Sequence, residues 1–188
     1  EMFSIHPLAL EDVVHGRVRP KAEVYEDDAN LEGMKRSSPV LFTVPGQLYG
    51  IGRQEALADE LARLSGLERV FFANSGAEAN EAAIKIARLY GNRRGVENPA
   101  ILVMDNSFHG RTLATLSATG NTKVQQGFEP LVSGFGRAPY GDIAALARFA
   151  AENRDLVAVL VEPVQGEGGI NTPPDGYLAG IRERCDRQ

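Results

Sequence analysis

The sequence has little cysteine and no long apolar run, and these absences exclude several classes of protein. Cys185 is the only cysteine among 188 residues, which excludes a disulfide framework and a cysteine-based metal site. The sequence contains no stretch of 18 consecutive apolar residues and no signal peptide. We therefore expect a cytoplasmic protein with no membrane partner.

Positive charge is also scarce. The formal net charge is −5 and the isoelectric point is about 5.3, so electrostatics give no case for nucleic acid or an anionic membrane surface. Hydrophobic residues make up 43% and charged residues 24%, which is close to ordinary globular usage. A chain of this length buries about 70% of its unfolded surface, enough for a core.

The N-terminal segment differs in composition from the rest of the chain. Residues 1–30 hold many charges and two of the three histidines, and Ser37-Ser38-Pro39 interrupts regular structure. We therefore divide the chain into a segment 1–39 and a domain 40–188. The sequence opens with Glu1 and stops within a predicted helix, so we expect it to be a piece of a longer protein.

Apolar runs and helical periodicities alternate along the domain. Glycine is expected to end two of the helices, at Gly66 and Gly91, and residues 119–141 are predicted to be a long loop. The alternation predicts an α/β fold with a mostly parallel sheet and helices on both faces. The predicted strands are 69–73, 100–104 and 156–161; the predicted helices are 54–64, 75–90, 112–118, 142–152 and 175–187.

Ligands of such sheets lie at the carboxyl ends of the strands, so the residues after each strand matter most. After the first strand, Ser75 and Glu78 have the spacing of a capping box. Gly76 and Ala77 then present backbone N–H groups at a helix start, which suits a phosphate. The alternative is a well-capped helix with no ligand.

After the second strand, Phe108, His109, Gly110 and Arg111 stand together. Phe108 suits the face of a planar ring, and the Arg111 fork suits a carboxylate. The alternatives are that Phe108 packs in the core and that Arg111 is solvated. For His109, a capping or packing role is favoured over catalysis.

After the third strand, Glu162 and Glu167 flank a glycine-rich loop that contains Gln165. The two acids suit acid–base chemistry, or they pair with a basic group elsewhere. A plain glycine loop is the alternative.

Taken together and in order, these segments resemble the class III (subgroup II) aminotransferases, fold-type I enzymes that use pyridoxal 5′-phosphate. Within that family the resemblance is to the acetylornithine and succinylornithine branch, and it runs from about residue 40 to the end. The fold that it implies is part of the large domain of that fold type. The motifs that carry it are Leu48-Tyr49-Gly50, Asn74-Ser75-Gly76-Ala77-Glu78-Ala79-Asn80-Glu81, Ser107-Phe108-His109-Gly110-Arg111-Thr112 and Glu162-Pro163-Val164-Gln165-Gly166-Glu167-Gly168-Gly169.

The resemblance implies a role for each matching residue. It implies a cofactor site in which backbone amides hold the phosphate, Phe108 stacks on the pyridine ring and Glu162 supports the site. It implies that Arg111 binds the substrate α-carboxylate, that Glu167 is the acid that pairs with an arginine, and that Tyr49 lines the entrance. The implied cofactor-binding set is Ser75, Gly76, Ala77, Phe108, His109 and Glu162; the substrate-binding set is Arg111, Glu167 and Tyr49.

The family also needs a Schiff-base lysine and an aspartate at the pyridinium nitrogen, and no residue here matches either. The lysines are Lys21, Lys35, Lys85 and Lys123, so we assign no catalytic residue and expect this chain alone not to transaminate. The resemblance implies a homodimer that moves an amino group from N2-acetylornithine to 2-oxoglutarate in arginine metabolism. Ornithine or 4-aminobutyrate as donor, and a non-catalytic remnant that only contacts full-length homologues, are the alternatives.

Residues 3–27 resemble a different family, the cytosolic domain of CorA-type magnesium transporters. The likeness is carried by residues 5–14, Arg19-Pro20-Lys21 and Tyr25-Glu26-Asp27. It contains no membrane-spanning part, so no transport residue is assigned. It predicts a chimeric or truncated gene product, with a magnesium-transport fragment as a further alternative.

Overall fold

The computed structural model describes residues 40–42 and 52–187. These residues fall into two compact units, one ending at Asn74 and the other beginning at Ser75, and each is described by itself. The predicted segment 1–39, with its CorA-like residues 3–27, lies outside the described residues and stays a prediction.

The first unit contains one helix and two short parallel strands. Strand β1 (Val40–Phe42) pairs with β2 (Val70–Phe71), and helix α1 (Gly52–Ser65) lies between them in the chain. As predicted, α1 ends at Gly66, whose φ of 71° is left-handed and whose N–H donates to the Ala62 carbonyl at 3.0 Å. The predicted strand 69–73 is shorter than expected, at two residues.

The second unit is a three-stranded sheet between helices. The sheet order is β4-β3-β5 and both pairings are parallel, which confirms the predicted α/β class. The elements are α2 (Gly76–Arg93), β3 (Ala100–Met104), α3 (Leu113–Ala118), a 3₁₀ turn (Thr122–Val124), β4 (Phe135–Ala138), α4 (Ile143–Glu152), β5 (Leu156–Leu160) and α5 (Tyr177–Asp186).

The central strand β3 divides the core into two layers, because successive side chains of a strand point to opposite faces. Ile101 and Val103 pack with residues of α2 and α3 on one face. Leu102 and Met104 pack with residues of α4 and α5 on the other. Helices therefore cover both faces, as the unbroken apolar run of β3 predicts.

The prediction of an uninterrupted loop over 119–141 is wrong, since β4 lies inside it. The sequence does not indicate this strand, because neither Gly136 nor Arg137 is a residue type that is typical of strands. In the structure the Phe149 ring occupies the space where a Cβ of Gly136 would lie. The glycine is therefore needed for α4 to pack on this edge strand.

The prediction that Gly91 ends the second helix is also wrong, since α2 continues to Arg93. A Cβ on Gly91 would lie 2.7 Å from Val157 Cγ1 and 2.9 Å from Pro99 Cβ. Gly91 is buried and permits close approach of α2 to the sheet, so its role is packing rather than termination.

Candidate functional site

The residues that follow β3 and β5 meet at one edge of the sheet, as expected for neighbouring parallel strands. The Phe108 N–H donates to Glu162 Oε2 at 2.9 Å, and Gln165 Nε2 donates to the Asp105 carbonyl at 2.8 Å. These bonds join the segment 105–112, which follows β3, to the loop 162–169, which follows β5. Both segments therefore lie at the carboxyl ends of their strands, where ligands of parallel α/β sheets bind.

The start of α2 presents the predicted backbone donors. Ser75 is the N-cap, with extended backbone, and its Oγ accepts the Glu78 N–H at 3.2 Å. Among the described residues no acceptor is found for the N–H groups of Gly76 and Ala77. These two N–H groups lie at the positive end of an 18-residue helix and can bind an anion.

Gly110 brings the segment 105–112 against this first turn of α2. Its φ is 133°, and a Cβ at this position would lie 3.0 Å from the Ala77 Cβ and 2.6 Å from Thr115 Oγ1. Any side chain at Gly110 would therefore be both strained and obstructed. The small residues Gly110 and Ala77 let the two parts of the site approach closely.

A cavity of about 680 Å³ opens beside the segment 105–112. Phe108, Arg111 and Glu167 line it, and the Arg111 Cζ lies 5.6 Å from the centroid of the Phe108 ring. Apolar side chains, among them Leu113 and Phe128, form part of the wall. The cavity thus combines an aromatic face with one positive and one negative side chain.

The other predicted residues lie outside the lining of this cavity. They are Ser75, Gly76, Ala77, His109 and Glu162. Tyr49 lies outside the described residues. The structure therefore places the two predicted glutamates differently: Glu162 is buried behind Phe108, whereas Glu167 is exposed on the cavity wall.

His109 is held through its backbone rather than through its ring. Its carbonyl accepts Asn80 Nδ2 at 2.8 Å, and its N–H donates to Thr119 Oγ1 at 3.0 Å. Burial, with a smaller contribution from the positive charge of Arg137, lowers the pKa of His109 to about 4. The imidazole is 3% exposed and is therefore neutral at ordinary pH.

The loop 162–169 is fixed by polar contacts at both ends. Gln165 and Asn171 form a two-way backbone bridge, with N···O distances of 2.9 and 3.0 Å. The Tyr140 hydroxyl donates to the Pro163 carbonyl at 2.8 Å. Burial, and then the charge of Glu162, raise the pKa of Tyr140, so it remains protonated as a donor.

Several residues of the site carry contacts that the sequence interpretation did not assign. Asn80 bonds to the segment 105–112, and Glu81 accepts hydrogen bonds from Thr112 Oγ1 and from the Thr115 N–H. A signal for Asn80 exists in the sequence, because it shares the buried face of α2 with Ala83, Ala87 and Gly91. A polar residue at an apolar position of a helix indicates a specific partner.

Within the described ranges, no cluster of three or more His, Cys, Asp or Glu side chains is suited to hold a metal ion. In the same ranges, no helix has both the length and the hydropathy needed to cross a bilayer.

Comparison with known proteins identifies the class to which this fold and site belong. The family model described as aminotransferase class-III matches residues 32–188. The chain belongs to this family.

Curated relatives that are similar to this chain include acetylornithine aminotransferases. The protein of Nitrosomonas europaea is 61% identical over 140 residues, which cover 74% of this chain and 36% of that protein. The protein of Myxococcus xanthus is 46% identical over 159 residues, which cover 84% of this chain and 37% of that protein. The chain therefore spans little more than a third of the length of these relatives.

Solved structures show the same fold. The ornithine aminotransferase of Toxoplasma gondii superposes with a TM-score of 0.69 at 27% identity, covering 98% of this chain and 42% of that one. An amine transaminase from an uncultivated Pseudomonas species, solved with pyridoxal phosphate bound, superposes with a TM-score of 0.68 at 26% identity. The match covers 90% of this chain and 42% of that one.

Class III aminotransferases use pyridoxal 5′-phosphate, and the residues present fit that group. The N–H groups of Gly76 and Ala77 suit its phosphate. Four buried polar side-chain atoms in or near the segment 105–112 have no partner among the described residues: Asn80 Oδ1, Ser107 Oγ, His109 Nε2 and Arg137 Nη1.

Proposed function

We propose that residues 75–187 carry the phosphate- and ring-binding part of the cofactor site of an aminotransferase that uses N2-acetylornithine as amino donor and 2-oxoglutarate as acceptor. The observation that carries the proposal is the close approach of Gly110, which lies between Phe108 and Arg111 in the chain, to Ala77 at the start of α2. Phe108, Gly110 and Arg111 line the same cavity.

In this proposal, Gly76 and Ala77 hold the phosphate through their N–H groups, while Ser75 remains the helix cap. Phe108 lies against one face of the pyridine ring, and Glu162 keeps Phe108 in place through the 2.9 Å bond to its N–H. His109 supports the same segment. The bound cofactor supplies the electron sink that amino-group transfer requires.

Arg111 and Glu167 recognise the substrate from the cavity wall. The Arg111 fork binds the α-carboxylate through two parallel hydrogen bonds, a geometry that lysine does not reproduce. Glu167 is the acid that pairs with a basic group of the complete enzyme. Tyr49 is proposed to line the entrance, with help from the second subunit of a homodimer in the cytoplasm.

The amino donor is proposed from the similarity. Curated relatives that are named acetylornithine aminotransferase share 46–61% identity with this chain, whereas the ornithine aminotransferase of Toxoplasma gondii shares 27%. N2-acetylornithine, a product of arginine metabolism, is therefore proposed ahead of ornithine and 4-aminobutyrate.

No lysine of this chain is proposed to bind the cofactor covalently. Lys85 and Lys123 are exposed and neither lines the cavity. Lys21 and Lys35 lie outside the described residues. After incubation of the chain with equimolar pyridoxal 5′-phosphate and borohydride reduction, mass spectrometry is expected to find only low labelling scattered over exposed amines. Complete labelling of one lysine would contradict this part.

Calorimetric titration tests the proposal. The chain is titrated with 4′-deoxypyridoxine 5′-phosphate, which lacks the aldehyde, and then with N2-acetylornithine, ornithine and 4-aminobutyrate. We expect the cofactor analogue to bind and N2-acetylornithine to bind best. The variant Arg111→Lys should weaken the amino acid about tenfold or more, because one of two charge-assisted bonds is lost, while the analogue is unaffected.

The exposed Arg148→Lys on α4 is the matched control and should change neither affinity. No binding of the analogue would favour a non-catalytic remnant. Equal amino-acid affinity for wild type and Arg111→Lys would show that Arg111 does not hold the carboxylate.

A further inference from the structure

We propose that Asn80 and Glu81 are positioning residues that fix the segment 105–112 relative to the first turn of α2. The inference rests on the proposed function, since it concerns how the two ends of one ligand are held. Gly76 and Ala77 meet the phosphate end, and Phe108 meets the ring end. The distance between them is set by residues that touch neither end.

Asn80 forms the first connection. It lies one helical turn after Gly76 and is 1% exposed on the buried face of α2. Its Nδ2 donates to the carbonyl of His109 at 2.8 Å, across 29 residues of sequence. Because His109 directly follows Phe108, this bond fixes the backbone that carries the aromatic ring.

Glu81 forms the second connection, on the other side of Arg111. Its Oε1 accepts the Thr112 hydroxyl and the Thr115 N–H, the latter at 3.3 Å. Thr112 is the N-cap of α3 and directly follows Arg111. A carboxylate near a helix start is favourable, so Glu81 holds the first turn of α3 in place.

Each connection is made next to one functional side chain of the segment. Asn80 reaches His109 and Glu81 reaches Thr112, so Phe108 and Arg111 are tied to the helix that presents the phosphate donors. One helical turn, about 5.4 Å, separates these donors from Asn80 and Glu81. A rigid helix therefore sets the spacing between phosphate and ring.

Removing one connection is expected to loosen this segment without unfolding the unit. The His109 N–H keeps its bond to Thr119 Oγ1, and the Phe108 N–H keeps its bond to Glu162. The loss should therefore weaken the binding of a ligand that contacts both Phe108 and the phosphate donors. It should not change the binding of a ligand that contacts only the phosphate donors.

The experiment uses the full chain and two probes, 4′-deoxypyridoxine 5′-phosphate and inorganic phosphate. Asn80→Leu removes the amide at similar volume, Glu81→Ala removes the carboxylate, and Glu81→Gln keeps the accepting oxygen. Asn153→Leu is the matched control, because Asn153 Nδ2 also donates to a carbonyl, that of Phe149, at 2.8 Å but at the end of α4.

We expect Asn80→Leu and Glu81→Ala to weaken the ring-bearing probe about five- to tenfold, the effect of one lost hydrogen bond, and to leave inorganic phosphate unchanged. Glu81→Gln and Asn153→Leu should resemble wild type. In the Phe108→Ala background, Asn80→Leu should have no further effect, because it acts through Phe108. Equal weakening of both probes, or additive effects, would overturn the inference.

Hydrogen exchange without any ligand separates this inference from the proposed function. Asn80→Leu and Glu81→Ala should speed amide exchange in residues 108–112 and leave β3 and α4 unchanged. If wild type binds neither probe, the proposed function fails, while faster exchange in 108–112 still supports the positioning role. Unchanged exchange in 108–112 would overturn it.

Discussion

His109 has a buried side chain that stays neutral at ordinary pH. Its ring is buried beside the positive Arg137, and its pKa falls from an ordinary 6.5 to about 4. Its backbone meanwhile bonds to Asn80 and Thr119. The imidazole is therefore neutral near pH 7 and unsuited to hold a proton there.

This burial predicts a pH dependence of stability. The unfolded chain binds a proton at His109 near pH 6.5 and the folded chain only near pH 4, so stability is full above about pH 6.5 and is lost as the pH falls. Between pH 7.5 and 5.0 the free energy of unfolding should fall by about 2 kcal/mol from His109 alone. Urea titrations at both pH values measure it.

The control is His109→Gln, in which all other groups titrate as before. The difference between the wild-type and variant profiles isolates the contribution of His109. Profiles that run parallel from pH 7.5 to 5.0 would contradict the burial of the neutral imidazole.

At the scale of helices, two glycines show that packing, and not helix propensity alone, decides how a substitution changes stability. Gly91 of α2 faces Val157 and Pro99, where a Cβ would lie 2.7 and 2.9 Å from side-chain carbons. Gly180 of α5 faces the flexible end of Ile143, at 3.3 Å. Both are helical, so replacement by alanine gains the same intrinsic propensity, about 1 kcal/mol.

We therefore expect opposite results from two identical substitutions. Gly91→Ala should lower the free energy of unfolding by about 1–2 kcal/mol, because overpacking against the sheet exceeds the gain in propensity. Gly180→Ala should be neutral or raise it slightly, since Ile143 can move. Chemical denaturation measures both, and a stabilising Gly91→Ala would show that α2 does not pack as described.

The elements that the sequence predicted well are those with a local signal. The predicted helix 142–152 corresponds to α4, in which Asp142 is the N-cap and its Oδ1 accepts the Ala145 N–H at 2.8 Å. The apolar run of β3 likewise predicted a buried parallel strand. Strand β4 was missed because its glycine and arginine are explained only by the Phe149 ring and by the carbonyls of Ser117 and Thr119 that Arg137 reaches.

The contacts of the candidate site also differ in whether the sequence predicts them. The meeting of Phe108 with Glu162 followed from strand order, because adjacent parallel strands end at one edge. The partners of Asn80 and Glu81 did not follow, since they depend on how α2 lies against a segment 29 or more residues away. Sequence spacing gives no distance between such segments.

At the scale of the whole molecule, the second unit accounts for every described contact of the site. Its sheet, the start of α2 and the segments after β3 and β5 all lie within residues 75–187. The chain matches little more than a third of its acetylornithine aminotransferase relatives. We therefore propose that this chain carries the phosphate and ring ends of the cofactor site.

The most direct test of that claim removes one N–H donor without disturbing the helix. Gly76 is the first residue of α2, where proline is tolerated, and Ser75 before it is already extended, as a residue before proline requires. Gly76→Pro therefore deletes the N–H, and Gly76→Ala keeps it. Each is titrated with 4′-deoxypyridoxine 5′-phosphate and with 4′-deoxypyridoxine, which lacks the phosphate.

Gly76→Pro is expected to weaken binding of the phosphorylated compound about tenfold or more, the effect of one lost hydrogen bond to a charged group. Gly76→Ala should bind it as wild type does, and the compound without phosphate should bind all three proteins equally. Equal affinity of Gly76→Pro and Gly76→Ala for the phosphorylated compound would contradict a phosphate site at the start of α2.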